Sequence, residues 1–140
     1  MVKVMAFGTF DILHPGHLSY LKQAKEFGDE LVVVVATDAN VEKMKNRKPV
    51  NNQEHRKELV EAIGIVDKAI IGYDGDMFDI VAEENPDVLA LGYDQKPGEN
   101  KLKELLEEKE IFAEVKTMKP YRNDVYKSSK IKEKVKNTKN

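Results

Sequence analysis

The sequence contains no cysteine among its 140 residues, and charge of neither sign dominates it. The absence of cysteine excludes disulfide bonds, thiolate metal sites and a cysteine nucleophile. Lys plus Arg (23) nearly balance Asp plus Glu (25), so a net charge of -2 produces no long-range field that would attract nucleic acid or an anionic membrane surface. Any anion that the chain binds must therefore be held by local contacts.

Long hydrophobic runs are also missing. No apolar segment approaches the roughly 18 residues of a membrane-spanning helix, and the N-terminal MVKVMAF is too short for a signal peptide. A chain of 140 residues can bury one core but is too short for two. We therefore expect one soluble, cytoplasmic domain over residues 1–136 and a short charged tail over residues 137–140. The lysine-rich C-terminal segment has no interleaved aromatic residues, so it does not predict a nucleic-acid-binding role.

Four short apolar runs without polar alternation predict buried parallel strands at residues 2–7, 31–36, 68–71 and 88–91. A fifth strand is predicted at residues 113–117. Segments of helical length lie between and after them, at residues 16–27, 53–63, 77–84, 100–110 and 128–135. This alternation predicts an α/β fold with a single Rossmann-like, doubly wound, parallel five-stranded sheet and helices on both faces. Such sheets bind ligands beyond the carboxyl ends of the strands, where the strand order reverses.

The segment GTFDILHPGH, residues 8–17, follows the first strand. Gly8 lets the chain turn off the strand without a Cβ in the way, and Thr9 offers a hydroxyl and a backbone N–H to a phosphate oxygen. Pro15 and Gly16 are typical of a helix start, where unpaired N–H groups and the positive end of the dipole favour an anion. The segment therefore predicts a phosphate site.

The same segment carries two histidines, His14 and His17, three residues apart. If the helical turn begins here, both imidazoles face the same pocket as N–H donors, which suits a polyphosphate. A bare pair at this spacing is more often a pair of surface or core histidines, or half of a metal site. The position between a buried strand and a helix N-terminus favours phosphate binding.

These residues resemble the HxGH signature of the nucleotidyltransferase superfamily, and the GTFD form is similar to its cytidylyltransferase-like branch. The resemblance extends from residue 2 to about residue 135. It implies that a basic stretch, KMKNRKP, reaches over the phosphates, and that the next helix begins with an arginine that contacts phosphate. It also implies that the turn Gly92-Tyr93-Asp94-Gln95 contacts the base and sugar, and that a serine pair caps a last helix beside the phosphates.

The resemblance thereby assigns two sets of site residues. The catalytic set is His14, His17, Lys48 and Arg56. The nucleotide-binding set is Thr9, Phe10, His14, Pro15, Gly16, His17, Lys45, Gly92, Asp94, Tyr121, Arg122, Ser128 and Ser129. No protein ligands for a metal are expected, because no cluster of carboxylates is evident; Mg²⁺ or a similar divalent cation is expected on the nucleotide phosphates.

The chemistry that the resemblance implies is a direct, in-line attack by an acceptor phosphate on the α-phosphorus of a nucleoside triphosphate, with release of pyrophosphate. The run GDELVVVVATDANVEKMKNRKP and the turn GYDQ look most like the archaeal FAD synthetases, which implies ATP and FMN as substrates. Cytidylyl transfer from CTP to glycerol 3-phosphate or a related phospho-alcohol is the alternative, and a nucleotide-binding domain without turnover is a third possibility. The resemblance also implies a homodimer. The sequence does not identify the residues of the acceptor pocket.

Overall fold

The computed structural model describes residues 1–95 and 97–120. Its strands are β1 (Lys3–Gly8), β2 (Glu30–Val35), β3 (Lys68–Ile71), β4 (Val88–Leu91) and β5 (Glu114–Thr117). Its helices are α1 (Pro15–Lys25), α2 (Asp38–Lys45), α3 (Gln53–Glu61), α4 (Met77–Glu84) and α5 (Glu99–Glu108). Every predicted element in these ranges is present, with ends shifted by at most two residues. The helix predicted at residues 128–135 lies outside the described residues.

Helix α2 was not predicted, because its sequence is polar and short and was interpreted only as the approach to a basic stretch. The hydroxyl oxygen of Thr37 caps its first turn by accepting from the Asn40 backbone N–H at 3.1 Å. Asn46 ends the helix in the left-handed conformation, with φ of 54°. The basic stretch therefore begins on a helix rather than on a loop.

The sheet is entirely parallel and its strand order is β3-β2-β1-β4-β5. The chain first adds strands on one side of β1 and then crosses to add β4 and β5 on the other side. The order therefore reverses between β1 and β4, and the loops after these two strands diverge at the C-terminal edge of the sheet. The predicted doubly wound, parallel five-stranded sheet is confirmed, and the structure adds the order of its strands.

Helices cover both faces of the sheet. Leu21 of α1 and Val60 of α3 pack on one face with side chains such as Val33. Ile80 of α4 and Leu102 of α5 pack on the other face. The three central strands β2, β1 and β4 are buried over consecutive residues, which is why they read as continuous apolar runs, whereas the edge strand β5 is buried only at Val115. Within the described residues, no helix is long and apolar enough to cross a membrane.

Candidate nucleotide site at the end of the first strand

The two histidines form the N-terminal cap of helix α1. Nδ1 of His14 accepts a hydrogen bond from the Gly16 backbone N–H at 3.0 Å. Nδ1 of His17 accepts from the backbone N–H of His14 at 3.3 Å, so each ring satisfies an N–H group at the helix start. Pro15 occupies the first helical turn, where its missing N–H costs nothing. The ring centroids lie 4.0 Å apart, so the structure brings the predicted pair together.

These hydrogen bonds determine which ring nitrogen carries the proton. A backbone N–H always donates, so Nδ1 of both His14 and His17 must lack a proton, and each neutral ring then carries its proton on Nε2. Burial lowers the pKa of His17 to about 4, with the charges of His14 and Lys45 adding to the effect. Burial also lowers the pKa of His14. Near neutral pH the site therefore offers two uncharged Nε2–H donors rather than two imidazolium ions.

Phe10 packs against His17 and fixes the position of its ring. Its ring is only 2% exposed and meets the His17 ring edge-on, with the centroids 5.5 Å apart. A Cβ on Gly8 would lie 2.6 Å from Cζ of Phe10, so glycine is required there for close approach of the ring. Phe10 itself has φ of 53°, a strained backbone conformation for a bulky residue that is commonest at functional sites. The Phe10 ring belongs to the core, so the predicted nucleotide contact of Phe10 would have to be made by its backbone.

Arg56 also requires a correction. It was predicted to contact phosphate, but its side chain is 0% exposed and its hydrogen-bonding groups are engaged inside the protein. The guanidinium donates to the carbonyl oxygens of Thr9 (2.9 Å) and Ala36 (2.8 Å) and forms an ion pair with Asp38 at 2.7 Å. Nε donates to the carbonyl oxygen of Asn51 at 2.9 Å. Arg56 therefore joins the loops that follow β1 and β2 and precede α3, and it cannot reach a ligand from this position.

The basic residues expected over the phosphates lie at the surface. Lys45 ends α2, while Arg47 and Lys48 follow in the exposed segment before α3. Lys45 is close enough to the site for its charge to contribute to the lowered pKa of His17. The two lysines assigned to the phosphates are thus available for an anion, in contrast to Arg56.

The divergence of β1 from β4 exposes backbone groups that two further side chains satisfy. The paired register ends at Ala90, and beyond it the Tyr20 hydroxyl donates to the Ala90 carbonyl oxygen (2.7 Å) and accepts from the Phe7 N–H (3.1 Å). The amide of Gln95 donates to the Phe7 carbonyl oxygen and accepts from the Gly92 N–H, each at 2.7 Å. Burial raises the pKa of Tyr20 well above its ordinary value. Gln95 thereby fastens the turn after β4 to the end of β1.

Sequence reasoning gave no role to Tyr20, Gln95 or Asp38. Tyr20 falls on the apolar face of α1 and reads as a core residue, and Asp38 reads as an ordinary first-turn acid of a helix that was not predicted. The only signal for Gln95 was its place at the end of the GYDQ turn. Partners that are 70 or 88 residues away along the chain are invisible to local patterns.

The other predicted residues divide into two groups. Gly92 and Asp94 lie in the turn after β4, across the switch point from the histidines, and the Asp94 side chain is exposed. Tyr121, Arg122, Ser128 and Ser129 lie outside the described residues. Within residues 1–95 and 97–120, no group of three or more histidine or acidic side chains is placed to hold a metal ion.

Comparison with known proteins places this geometry in a family. The family model described as Cytidylyltransferase-like matches residues 5–134. A protein of Thermococcus sibiricus named FAD synthase is 48% identical over 136 residues, which cover 96% of this chain and 92% of the relative. A protein of Archaeoglobus fulgidus with the same name is 50% identical over 111 residues, covering 79% of this chain and 80% of the relative.

A solved structure agrees with the fold. The crystal structure described as that of the lipopolysaccharide core biosynthesis protein from Thermoplasma volcanium superposes with a TM-score of 0.82 at 42% identity. The match covers 86% of this chain and 98% of that chain. The predicted fold class and the predicted branch are both confirmed: the chain belongs to the cytidylyltransferase-like family.

Proposed function

We propose that the chain makes FAD by transferring AMP from MgATP to FMN, with release of pyrophosphate. The chain is a nucleotidyltransferase by family, and relatives named FAD synthase match it over most of their length. The structural observation that carries the proposal is the pair of neutral histidines at the N-terminus of α1, at the carboxyl end of β1 beside the switch point. A helix N-terminus and uncharged N–H donors at this place suit a polyphosphate.

In the proposed reaction an FMN phosphate oxygen attacks the α-phosphorus of ATP. The new bond joins that oxygen to the α-phosphorus, the bond from the α-phosphorus to the bridging oxygen breaks, and pyrophosphate leaves with the electron pair. The acceptor oxygen is already ionised, so no strong general base is needed. Catalysis rests on positioning and on stabilising the developing charge.

The protein groups have separate roles in this scheme. Nε2–H of His14 and of His17 donate to phosphate oxygens, and both rings remain neutral because burial disfavours the imidazolium form. Lys45, at the end of α2, and Lys48, in the exposed stretch after it, supply positive charge. Asp94 accepts hydrogen bonds from the nucleoside. Arg56 acts only through the loops that it joins.

Mg²⁺ enters with ATP as part of the substrate. The described residues provide no cluster of ligating side chains that would hold it independently, and a hard cation of this kind is commonly held by substrate phosphates.

A homodimer is also proposed. Ile12, before α1, and Leu18, on α1, are exposed apolar residues that support this proposal. Light scattering of the purified protein measures that state directly. The domain is proposed to cover residues 1–136, and the family match to residues 5–134 supports this proposal.

The test is pyrophosphate release by the purified chain with Mg²⁺, with ATP or CTP crossed against FMN, glycerol 3-phosphate and a sugar 1-phosphate. Release with ATP and FMN, with FAD identified by chromatography, is expected. Release only with CTP would replace the proposal by cytidylyl transfer to the acceptor that responds. If no pair of substrates releases pyrophosphate, the chain is a nucleotide-binding domain without turnover.

A matched pair of histidine variants tests the site itself. His17→Ala removes an Nε2–H donor and is expected to lower kcat by about 100-fold. His55→Ala changes the exposed histidine of α3 and is expected to leave kcat unchanged. Equal activity of the two variants would contradict the assignment of the site.

A further inference from the structure

The stretch that follows α2 carries several positive charges but little regular structure. It is called here the basic loop and comprises residues 46–50 together with Lys45, the last residue of α2; Lys45, Arg47 and Lys48 are exposed. Long cationic side chains on an unanchored loop lose much conformational entropy when they close on an anion. How the end of the basic loop is anchored therefore bears on how well its lysines bind phosphate.

The anchor is the carboxylate of Asp11, which lies in residues 8–17, called here the phosphate segment. Oδ2 accepts from the backbone N–H of Val50 and Oδ1 from that of Asn51, each at 2.8 Å. In return the side-chain amide of Asn51 donates to the backbone oxygen of Asp11 at 2.7 Å. The contact joins positions that are 39 and 40 residues apart along the chain, so it fixes the loop against the segment that carries the histidines.

The electrostatics favour a charged carboxylate in this role. Burial by itself would raise the pKa of Asp11, but the hydrogen bonds from Asn51 and Val50 and the charges of Arg56 and Lys45 lower it overall. Charge-assisted hydrogen bonds of this type are stronger than neutral ones. Both carboxylate oxygens are engaged, so Asp11 has no need of a ligand to be satisfied.

Arg56 holds the same junction from the inside. Its Nε donates to the carbonyl oxygen of Asn51, while Nη1 donates to the carbonyl oxygens of both Thr9 and Ala36. The end of the basic loop is thus fixed on one side by Asp11 and on the other by a buried guanidinium.

We propose that Asp11 is a positioning residue that holds the basic loop against the phosphate segment, so that Lys45 and Lys48 are presented to a bound triphosphate before it arrives. The inference rests on the proposed function for the identity of the ligand. Because the loop is ordered in advance, ATP does not have to supply the free energy of ordering it. Loss of the anchor is therefore expected to weaken ATP binding more than it slows the chemical step.

The experiment compares Asp11→Asn with Asp67→Asn. Asp67 is a matched control, because its carboxylate also accepts a backbone N–H, that of Leu31 at 2.8 Å, and also bonds a basic side chain, that of Lys25. Asp67 immediately precedes β3, so it lies at the N-terminal ends of the strands, whereas Asp11 lies at their C-terminal ends. Thermal unfolding measures the loss of stability in each variant, which is expected to be similar.

Kinetics and proteolysis then separate positioning from stability. Asp11→Asn is expected to raise KM for ATP by about tenfold, with a smaller change in kcat and no change in KM for FMN. Trypsin cleavage after Lys45 and Arg47, located by mass spectrometry, is expected to accelerate by a similar factor because the loop opens more often. Asp67→Asn should change neither quantity.

Two results would overturn the proposal. A fall in kcat with unchanged KM for ATP and unchanged cleavage would mean that Asp11 acts at the reacting atoms or on Mg²⁺. Faster cleavage with unchanged KM would mean that the position of the loop does not matter for ATP. If Asp11→Asn does not fold, Asn51→Ala removes the return hydrogen bond from the loop side and must show the same pattern.

Failure of the proposed function has a different signature. If the wild-type chain binds ATP but forms no FAD, the equilibrium Kd for MgATP replaces KM, and the comparison of Asp11→Asn with Asp67→Asn still decides the proposal. If the wild-type chain does not bind ATP at all, both the proposed function and the role of the basic loop are wrong.

Discussion

Replacing Gly8 by alanine tests whether the Phe10 ring positions His17, the proposed phosphate donor. The new Cβ would lie 2.6 Å from Cζ and 2.7 Å from Cε2 of Phe10, whereas ordinary contacts begin at 3.4 Å. The ring must therefore move by roughly 0.8 Å, and it is 2% exposed, so it has no open space to enter. Overpacking of this kind costs about 1–3 kcal/mol.

The movement is transmitted to His17, because the Phe10 ring meets the imidazole edge-on at 5.5 Å. A displacement on the order of 1 Å at a reacting group lowers rates by about 100-fold. We therefore expect Gly8→Ala to lower the unfolding midpoint by about 4–12 °C and to reduce kcat by about 10- to 100-fold when assayed well below that midpoint.

Gly64→Ala is the matched control. An added Cβ at Gly64 meets nothing within 4 Å, so this variant should keep full activity and be neutral or slightly more stable. In the Gly8→Ala background, Phe10→Leu replaces the ring with a shorter side chain and should recover part of the lost stability. The coupling free energy between the two positions is expected to be about 1–2 kcal/mol. If Gly8→Ala matches the control in both stability and kcat, the proposed support of His17 by Phe10 is refuted.

Three further outcomes are expected. Arg56→Met should destabilise the fold by about 3 kcal/mol or more in denaturant titrations, because buried carbonyl oxygens and a carboxylate lose their donor; a loss below about 1 kcal/mol would contradict this role. Between pH 6.5 and about 4 the unfolded state binds a proton at His17 that the folded state does not, so stability should fall as the pH is lowered through this range. His17→Gln should flatten that dependence, and an NMR titration of His17 with a midpoint near 6.5 would refute the prediction. Tyr20→Phe should cost about 1–2 kcal/mol, since it leaves backbone groups of β1 and β4 unpaired, whereas Tyr73→Phe removes only an exposed contact to Glu83 and should be nearly neutral.

Local patterns predicted the central strands and the amphipathic helices well, because strands buried on both faces have continuous apolar runs and amphipathic helices have regularly spaced apolar residues. They failed at α2, where a polar helix is specified mainly by its caps at Thr37 and Asn46. They also misassigned Arg56, since an arginine near a helix start reads the same whether it points into a pocket or into the core.

The sequence by itself determined the order of strands and helices, and it determined the chemistry of the segment after β1, because a strand, a glycine-led turn and a histidine-capped helix are all local features. Only the tertiary structure decided which polar groups are available to a ligand. Arg56 and the Phe10 ring are buried in the core, and the Asp11 carboxylate is hydrogen-bonded to a loop 39 residues away. Backbone N–H groups bond Nδ1 of both histidines, so each ring carries its proton on Nε2. The reason is physical: burial and hydrogen-bond partners depend on contacts between distant parts of the chain, and those contacts exist only after the sheet has brought its loops to one edge.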